Sequence, residues 1–137
     1  MRAMKSCSTI EIWNESQSTC VCRAARVADT SLSRFAGLLG RRSLPEEGGL
    51  LIRPSSGVHT WGMSMRIDIL ALDGEDRVWA AYENVGPWHL RGISLRTKSV
   101  LELPAGRIAR CGVAVGDQLK VRHVRTDAAT DERSARE

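Results

Sequence analysis

Residues that break regular structure cut this chain into short segments: the polar Asn14–Ser18 connection, Pro45 with Gly48 and Gly49, "RPSSG" at 53–57, Asp73-Gly74, Pro104 with Gly106, and Gly116-Asp117. Glycine supplies positive φ, proline removes a donor, and Asn or Asp bonds its own backbone, so each site ends an element. A chain punctuated this often is expected to build many short strands rather than long helices. The alternating run "STIEIWNE" and the run "STCVCRAARVAD" read as a first hairpin, and "LLI" at 50–52 as a short apolar strand. "VHTWGMSMRIDILAL" reads as one long strand from residue 58 to 72, turned by Asp73-Gly74 onto "RVWAAYENV". "SVLELP" and the residues after Gly116-Asp117 complete the set, while "GPWHLRGISLRTK" reads as a looser connection.

Only one stretch changes period. Leu32, Phe35, Leu38 and Leu39 recur at three and four residues, with Thr30 or Ser31 to cap the start and Gly40 to close the end. This predicts a short amphipathic helix over residues 31–39. "RIARCG" is long enough for one helical turn closed by Gly112. The expected fold is mainly β, a compact β-sandwich or jelly-roll-like barrel with that one helix. A tail at 1–8, one domain at 9–125 and a polar, fraying tail at 126–137 complete the expected organisation.

At 137 residues the chain is long enough to form an apolar core without metal or disulfides. The formal charge of +4 is mild, the arginines are dispersed, and only 4% of residues are aromatic. No nucleic-acid partner is expected from such a surface. Cys20 and Cys22 share one strand face but lack the spacing and second ligand pair of a zinc site; they read as small buried hydrophobes, and no metal or cofactor is expected. The N-terminus shows no signal-peptide core and the chain no membrane-spanning run, so a cytoplasmic location with free thiols is the expectation.

Ionisable residues inside the 58–72 run are the candidate chemistry. Alternation sets His59, Trp61, Met63, Met65, Ile67 and Ile69 on one face, and Arg66 and Asp68 on the other. A carboxylate among isoleucines needs a partner, and Arg34 or Arg41 could clamp Asp68, pinning the helix to the sheet. The alternative makes Asp68 a general acid or base. A hydrolytic trio of His59, Asp68 and Ser56 or Ser64 requires a bulge at Gly62 to bring opposite faces together, and no nucleophile-elbow pattern supports it. Trp88 and His89 follow Pro87 in an expected loop; with His59 and Trp61 they could line a pocket, or Trp88 could plug an open end of the barrel. "ELPAG" at 102–106 reads as a turn, with Gly106, like Gly116, at positive φ.

Taken in order, "RFAGLLGRRSLPEEGGLLIRP", "VHTWGMSMRIDILALDGEDRV", "GPW" and "VLELPAGRIARCGVAVGD" resemble the family catalogued as domain of unknown function 192 across most of residues 25–120. In that family the strand usually reads like His-Thr-aromatic-Gly-Met-Arg-Phe-Pro-Ile-Asp, whereas Ser64, Met65 and Arg66 precede Ile67-Asp68 here. The resemblance implies a predominantly β, jelly-roll-like domain with one helix and no agreed activity or cofactor. The resemblance also implies that many relatives are exported, whereas no export signal is expected in this chain.

Three functions fit these residues. The favoured one is a noncatalytic binding module that presents His59, Trp61, Trp88 and His89 to a small ligand or a protein segment. The others are a small hydrolase or lyase using Asp68 and His59, and assembly through an exposed sheet edge.

Overall fold

A computed structural model describes residues 9–28, 44–61 and 63–124. Its elements run β1 (Ile10–Asn14), β2 (Thr19–Ala28), β3 (Gly48–Ile52), β4 (Val58–His59), β5 (Ile67–Leu72), β6 (Val78–Val85), β7 (Leu90–Arg91), β8 (Ser99–Pro104), α1 (Arg107–Cys111) and β9 (Leu119–His123). The mainly β class expected from the turn signals is the architecture observed. The helix expected at 31–39, with Arg34 and Arg41, lies outside the described residues, as does Gly62. The helical turn expected in "RIARCG" is α1, closed by Gly112 at φ 69.

Seven strands form one sheet in the order β6-β5-β8-β3-β2-β1-β9, and β4 and β7 form a separate ribbon. Pairing is antiparallel except between β2 and β3. A parallel pair needs a crossover of a dozen or more residues, which the 29–47 connection is long enough to supply. The sheet curls until its two edges meet at one end. There Arg77 bridges Gln118, the Val78 amide donates to Asp117 O at 2.9 Å, and the Leu119 amide donates to Asp76 O at 3.0 Å. At that end, edge groups that would otherwise invite another strand are paired within the chain.

The curl creates an inner core, including Ile12, Val21, Leu51, Leu70, Leu101 and Leu119. A second apolar layer forms on the outer face from Leu50, Ile52, Met63, Ile67, Ile69 and Val100. The adjacent strands β3, β5 and β8 therefore have both faces covered, and every residue from Ile67 to Leu72 is buried. Strands covered on both sides read as continuous apolar runs.

The single strand expected over 58–72 does not form. The ladder of β4 ends at His59; the Thr60 amide donates to His89 O at 2.9 Å, the Met63 amide donates to Thr60 O at 3.3 Å, and pairing with the large sheet, through β6 and β8, begins only at Ile67. Expected alternation fails for a physical reason: the first half of the run serves a small ribbon and the second half a doubly covered sheet.

Candidate functional site

Only two residue pairs, Val58 with Arg91 and His59 with Leu90, join β4 to β7. A ladder so short does not hold itself, and the fully buried Thr60 supplies what it lacks. Its hydroxyl donates to Gly86 O at 2.7 Å and accepts the His89 amide at 2.9 Å, while its carbonyl accepts the Trp88 amide at 3.2 Å. His89 Nδ1 lies 2.9 Å from Gly86 O, a bond made by the tautomer with a proton on Nδ1. The other end is fastened by Thr97, whose buried hydroxyl donates to Gly92 O and accepts Trp79 Nε1–H at 3.0 Å. Above the sheet, the Arg91 guanidinium lies over Tyr82 and that of Arg96 over Trp79.

This scaffold carries large apolar side chains into solvent. Exposure is 48% for Trp61, 72% for Trp88, 51% for Leu90, 64% for Ile93 and 91% for Leu95. Scattered apolar residues are ordinary on a surface, but Leu90 on β7 and Trp61, Trp88, Ile93 and Leu95 on the segments that flank β4 and β7 form a feature. The His59 and Trp61 rings sit 5.2 Å apart at a tilt of 37°. Trp88 holds φ 67, a left-handed conformation that a bulky residue rarely adopts. Ile93 lies against Gly57, where an added Cβ would clash with the Ile93 side chain.

All four residues expected to bind, His59, Trp61, Trp88 and His89, are placed together on the ribbon. They do not line an enclosed pocket: both indoles and both histidines are exposed. Nor does Trp88 plug the barrel. Thr60, Leu90, Ile93 and Leu95 were missed by sequence reasoning, although apolar residues inside a stretch that reads as a loop are the signal that could have found them.

Asp68 sits elsewhere, fully buried on β5. One carboxylate oxygen accepts the Asn84 amide at 2.8 Å; the other accepts the amides of Gly106 at 3.1 Å and Ile108 at 2.9 Å. Its described partners are therefore backbone groups at the start of α1 and on β6, while Arg34 and Arg41, expected to clamp it, lie outside the described residues. His59 is exposed on the ribbon and shares no hydrogen bond with Asp68, so the acid–base pair and the hydrolytic trio are not assembled. Arg66 is exposed and donates to Asn84 O at 3.1 Å.

Glu102 is the buried carboxyl that the sequence reading passed over as part of a turn. It lies inside β8, paired with Leu50 on one side and Ile69 on the other. Its Oε2 has no hydrogen-bond partner among the described residues, and burial pushes its pKa up to about 8. Burial likewise pushes the Cys22 thiol up to about 11 and raises Cys20, so neither is poised as a thiolate. Among the described residues, no three His, Cys, Asp or Glu side chains are grouped as a metal ion would need.

Residues 12–121 match the family of domain of unknown function 192 (DUF192), described as "Uncharacterized ACR". The chain belongs to this family. Among solved structures, it is similar to a protein of unknown function from Novosphingobium aromaticivorans, with a TM-score of 0.70 and 23% identity, covering 82% of this chain and 83% of the other. It is also similar to a protein from Sinorhizobium meliloti described as a candidate transcription regulator, with a TM-score of 0.69 and 23% identity, covering 83% of this chain and 92% of the other. A search of curated proteins found no match.

At that identity the two structures establish the DUF192 fold and nothing more, so function must be argued from the site. The described part of this DUF192 chain separates its polar residues by task. Asp68, Thr60 and Thr97 satisfy backbone groups inside the fold, whereas the ribbon displays hydrophobic surface. Among the described residues, no helix is long and apolar enough to cross a membrane.

Proposed function

We propose that this DUF192 chain is a noncatalytic binding module whose contact surface is the ribbon bearing His59, Trp61, Trp88 and His89. The observation that carries this reading is the display of Trp61, Trp88, Leu90, Ile93 and Leu95 on a backbone secured by buried Thr60 and Thr97. Exposed aromatic and aliphatic anchors on a rigid support are what association uses, since burying them gains free energy while little ordering entropy remains to be lost. Small-molecule sites are concave and bury most of the ligand. Side chains as exposed as Trp88 and Leu95 suit an extended partner surface better. The hydrolase or lyase reading lacks support because both oxygens of Asp68 are engaged by backbone amides away from His59. Nucleic acid draws on the Sinorhizobium neighbour's description alone, and aliphatic anchors offer bases no stacking face. We place the chain in a reducing compartment, where Cys20, Cys22 and Cys111 remain thiols.

The test compares the wild type with a Trp88→Asn/Leu95→Ser variant, both confirmed folded by circular dichroism, for retention of cell-extract components. Loss of the wild type's specific interactions in the variant is expected. Equal retention by both proteins refutes the ribbon as the contact surface.

A further inference from the structure

The charge of the ribbon narrows the kind of partner. Residues 54–67 and 84–101 contain Arg66, Arg91, Arg96 and Lys98 and not one Asp or Glu. The whole chain has 20 basic and 16 acidic residues, so removing these four leaves 16 basic against 16 acidic. The entire formal excess of +4 therefore resides in the two stretches that build the ribbon and its flanks. Among the described residues, none of the four cations is in an ion pair with a carboxylate; Arg91 and Arg96 rest instead on the faces of Tyr82 and Trp79.

We infer that the ribbon docks on an anionic lipid bilayer, with Trp61, Trp88, Leu90, Ile93 and Leu95 entering the interfacial layer and Arg66, Arg91, Arg96 and Lys98 meeting the headgroups. This rests on the reading of the ribbon as the contact surface and names what it contacts. Stable peripheral attachment takes two signals, buried apolar surface and electrostatic attraction to anionic lipid, and the two stretches carry both. Tryptophan favours the headgroup level, where its ring is apolar on its body and polar at its N–H. A protein partner is less well matched. Protein hot spots lie in packed, fully desolvated pockets, whereas these side chains project from turns, Leu95 at 91% exposure and Trp88 at 72%. A bilayer accepts separate projecting side chains without needing complementary cavities.

The test is co-sedimentation of the full chain with vesicles of phosphatidylcholine alone and of phosphatidylcholine mixed equally with phosphatidylglycerol, read together with indole emission. The wild type is expected to sediment with the anionic vesicles only, with a blue shift of emission and release at high salt. Trp88→Asn/Leu95→Ser is expected to weaken this at least about tenfold, because apolar insertion and charge are both needed. Val115→Ser, at an exposed residue outside both stretches, is expected to leave binding unchanged. No sedimentation with either vesicle overturns the bilayer proposal. If a soluble poly-glutamate–tyrosine copolymer is instead bound by the wild type and lost in the double variant, the bilayer proposal falls while the ribbon reading stands. If the double variant sediments as well as the wild type and also retains the same extract components, both fall.

Discussion

The carboxylate of Asp68 accepts the backbone amide of Ile108 at 2.9 Å across 40 residues of sequence. The N-cap of α1 is Gly106, which has no side chain with which to bond the free amides of the first turn. Asp68 takes the place of the missing cap: from β5 it binds the Gly106 and Ile108 amides, and with its other oxygen it binds Asn84 on β6. One buried side chain thus joins the helix and two strands. In Asp68→Asn the amide NH2 would confront amide donors, leaving the start of α1 to the bonds that Arg107 makes to Val21 O and Cys20 O. The expected loss is about 3 kcal/mol, the scale of removing charged hydrogen bonds and leaving buried donors unpaired. Urea denaturation of the two proteins measures it, and a loss under about 0.5 kcal/mol would contradict this role.

Glu102 gives stability an unusual dependence on pH. Its pKa rises from an ordinary 4.5 to about 8 because burial penalises the ion. Between those values the folded chain holds a proton that the unfolded chain has released, so the stability contributed below the unfolded pKa is lost as pH rises toward about 8. The slope approaches about 1.4 kcal/mol per pH unit, giving a loss of about 3 kcal/mol by about pH 7. Glu102→Gln cannot ionise and is expected to flatten this limb, becoming more stable than the wild type at about pH 7. Denaturation series for both proteins across this range test the sign; parallel curves would refute it.

Asp117 acts at the acid end. Burial alone would raise its pKa, but hydrogen bonds from Asn14 Nδ2 at 2.7 Å, the Ala114 amide at 2.9 Å and Gln17 Nε2 at 2.8 Å lower it overall. A lowered pKa contributes stability above the ordinary carboxylate range and loses it as pH falls through the folded value. Asp117→Asn is expected to be less stable at neutral pH and to lose less on acidification than the wild type. Acid titration followed by tryptophan fluorescence distinguishes the two profiles.

How far the fold was readable follows from where its interactions lie. Asp73-Gly74, Pro104 and Gly116 mark real turns because backbone conformation there depends on the residues themselves. The 58–72 run misled because its break at Thr60 is made by bonds to His89 and Trp88, residues distant in sequence. Strands β4 and β7, two residues each, are too short to show any periodicity. Asp68 stood out as a buried carboxylate needing a partner, but its bonds to the backbone amides of Asn84, Gly106 and Ile108 leave no residue signature to read. His59, Trp61, Trp88 and His89 were legible as a group through their unusual types. Their aliphatic companions were not, because Leu90, Ile93 and Leu95 would be unremarkable in a strand and matter only because the fold leaves them outside.

Thr60 offers a way to separate the ribbon from the barrel. Thr60→Val keeps the shape but removes the hydroxyl that donates to Gly86 O and accepts the His89 amide. The expected cost is about 1 kcal/mol, since the His89 amide loses its acceptor while Gly86 O keeps its bond to His89 Nδ1. Hydrogen exchange at the amides of Trp88 and His89 is expected to accelerate more than exchange in β5 or β8, since local opening precedes global unfolding. Thr60→Ser is expected to restore protection. Uniform acceleration throughout the sheet would mean that the hydroxyl supports the whole fold rather than the ribbon.

Trp88 is where stability and binding are expected to part. Its φ of 67 is natural for glycine and costs other residues about 1–2 kcal/mol, yet the position carries a tryptophan that is 72% exposed and recovers little by burial. The Thr60 carbonyl, accepting the Trp88 amide, helps to hold the strained backbone with the indole outward. Strain retained at an exposed aromatic points toward use of the side chain in contact with something outside the fold. Trp88→Gly is therefore expected to leave the domain as stable as the wild type or about 1 kcal/mol more stable, while weakening vesicle binding. Thermal denaturation and co-sedimentation on the same preparation check both halves. A marked drop in melting temperature would show instead that the indole is needed for folding, and unchanged vesicle binding would remove Trp88 from the contact surface.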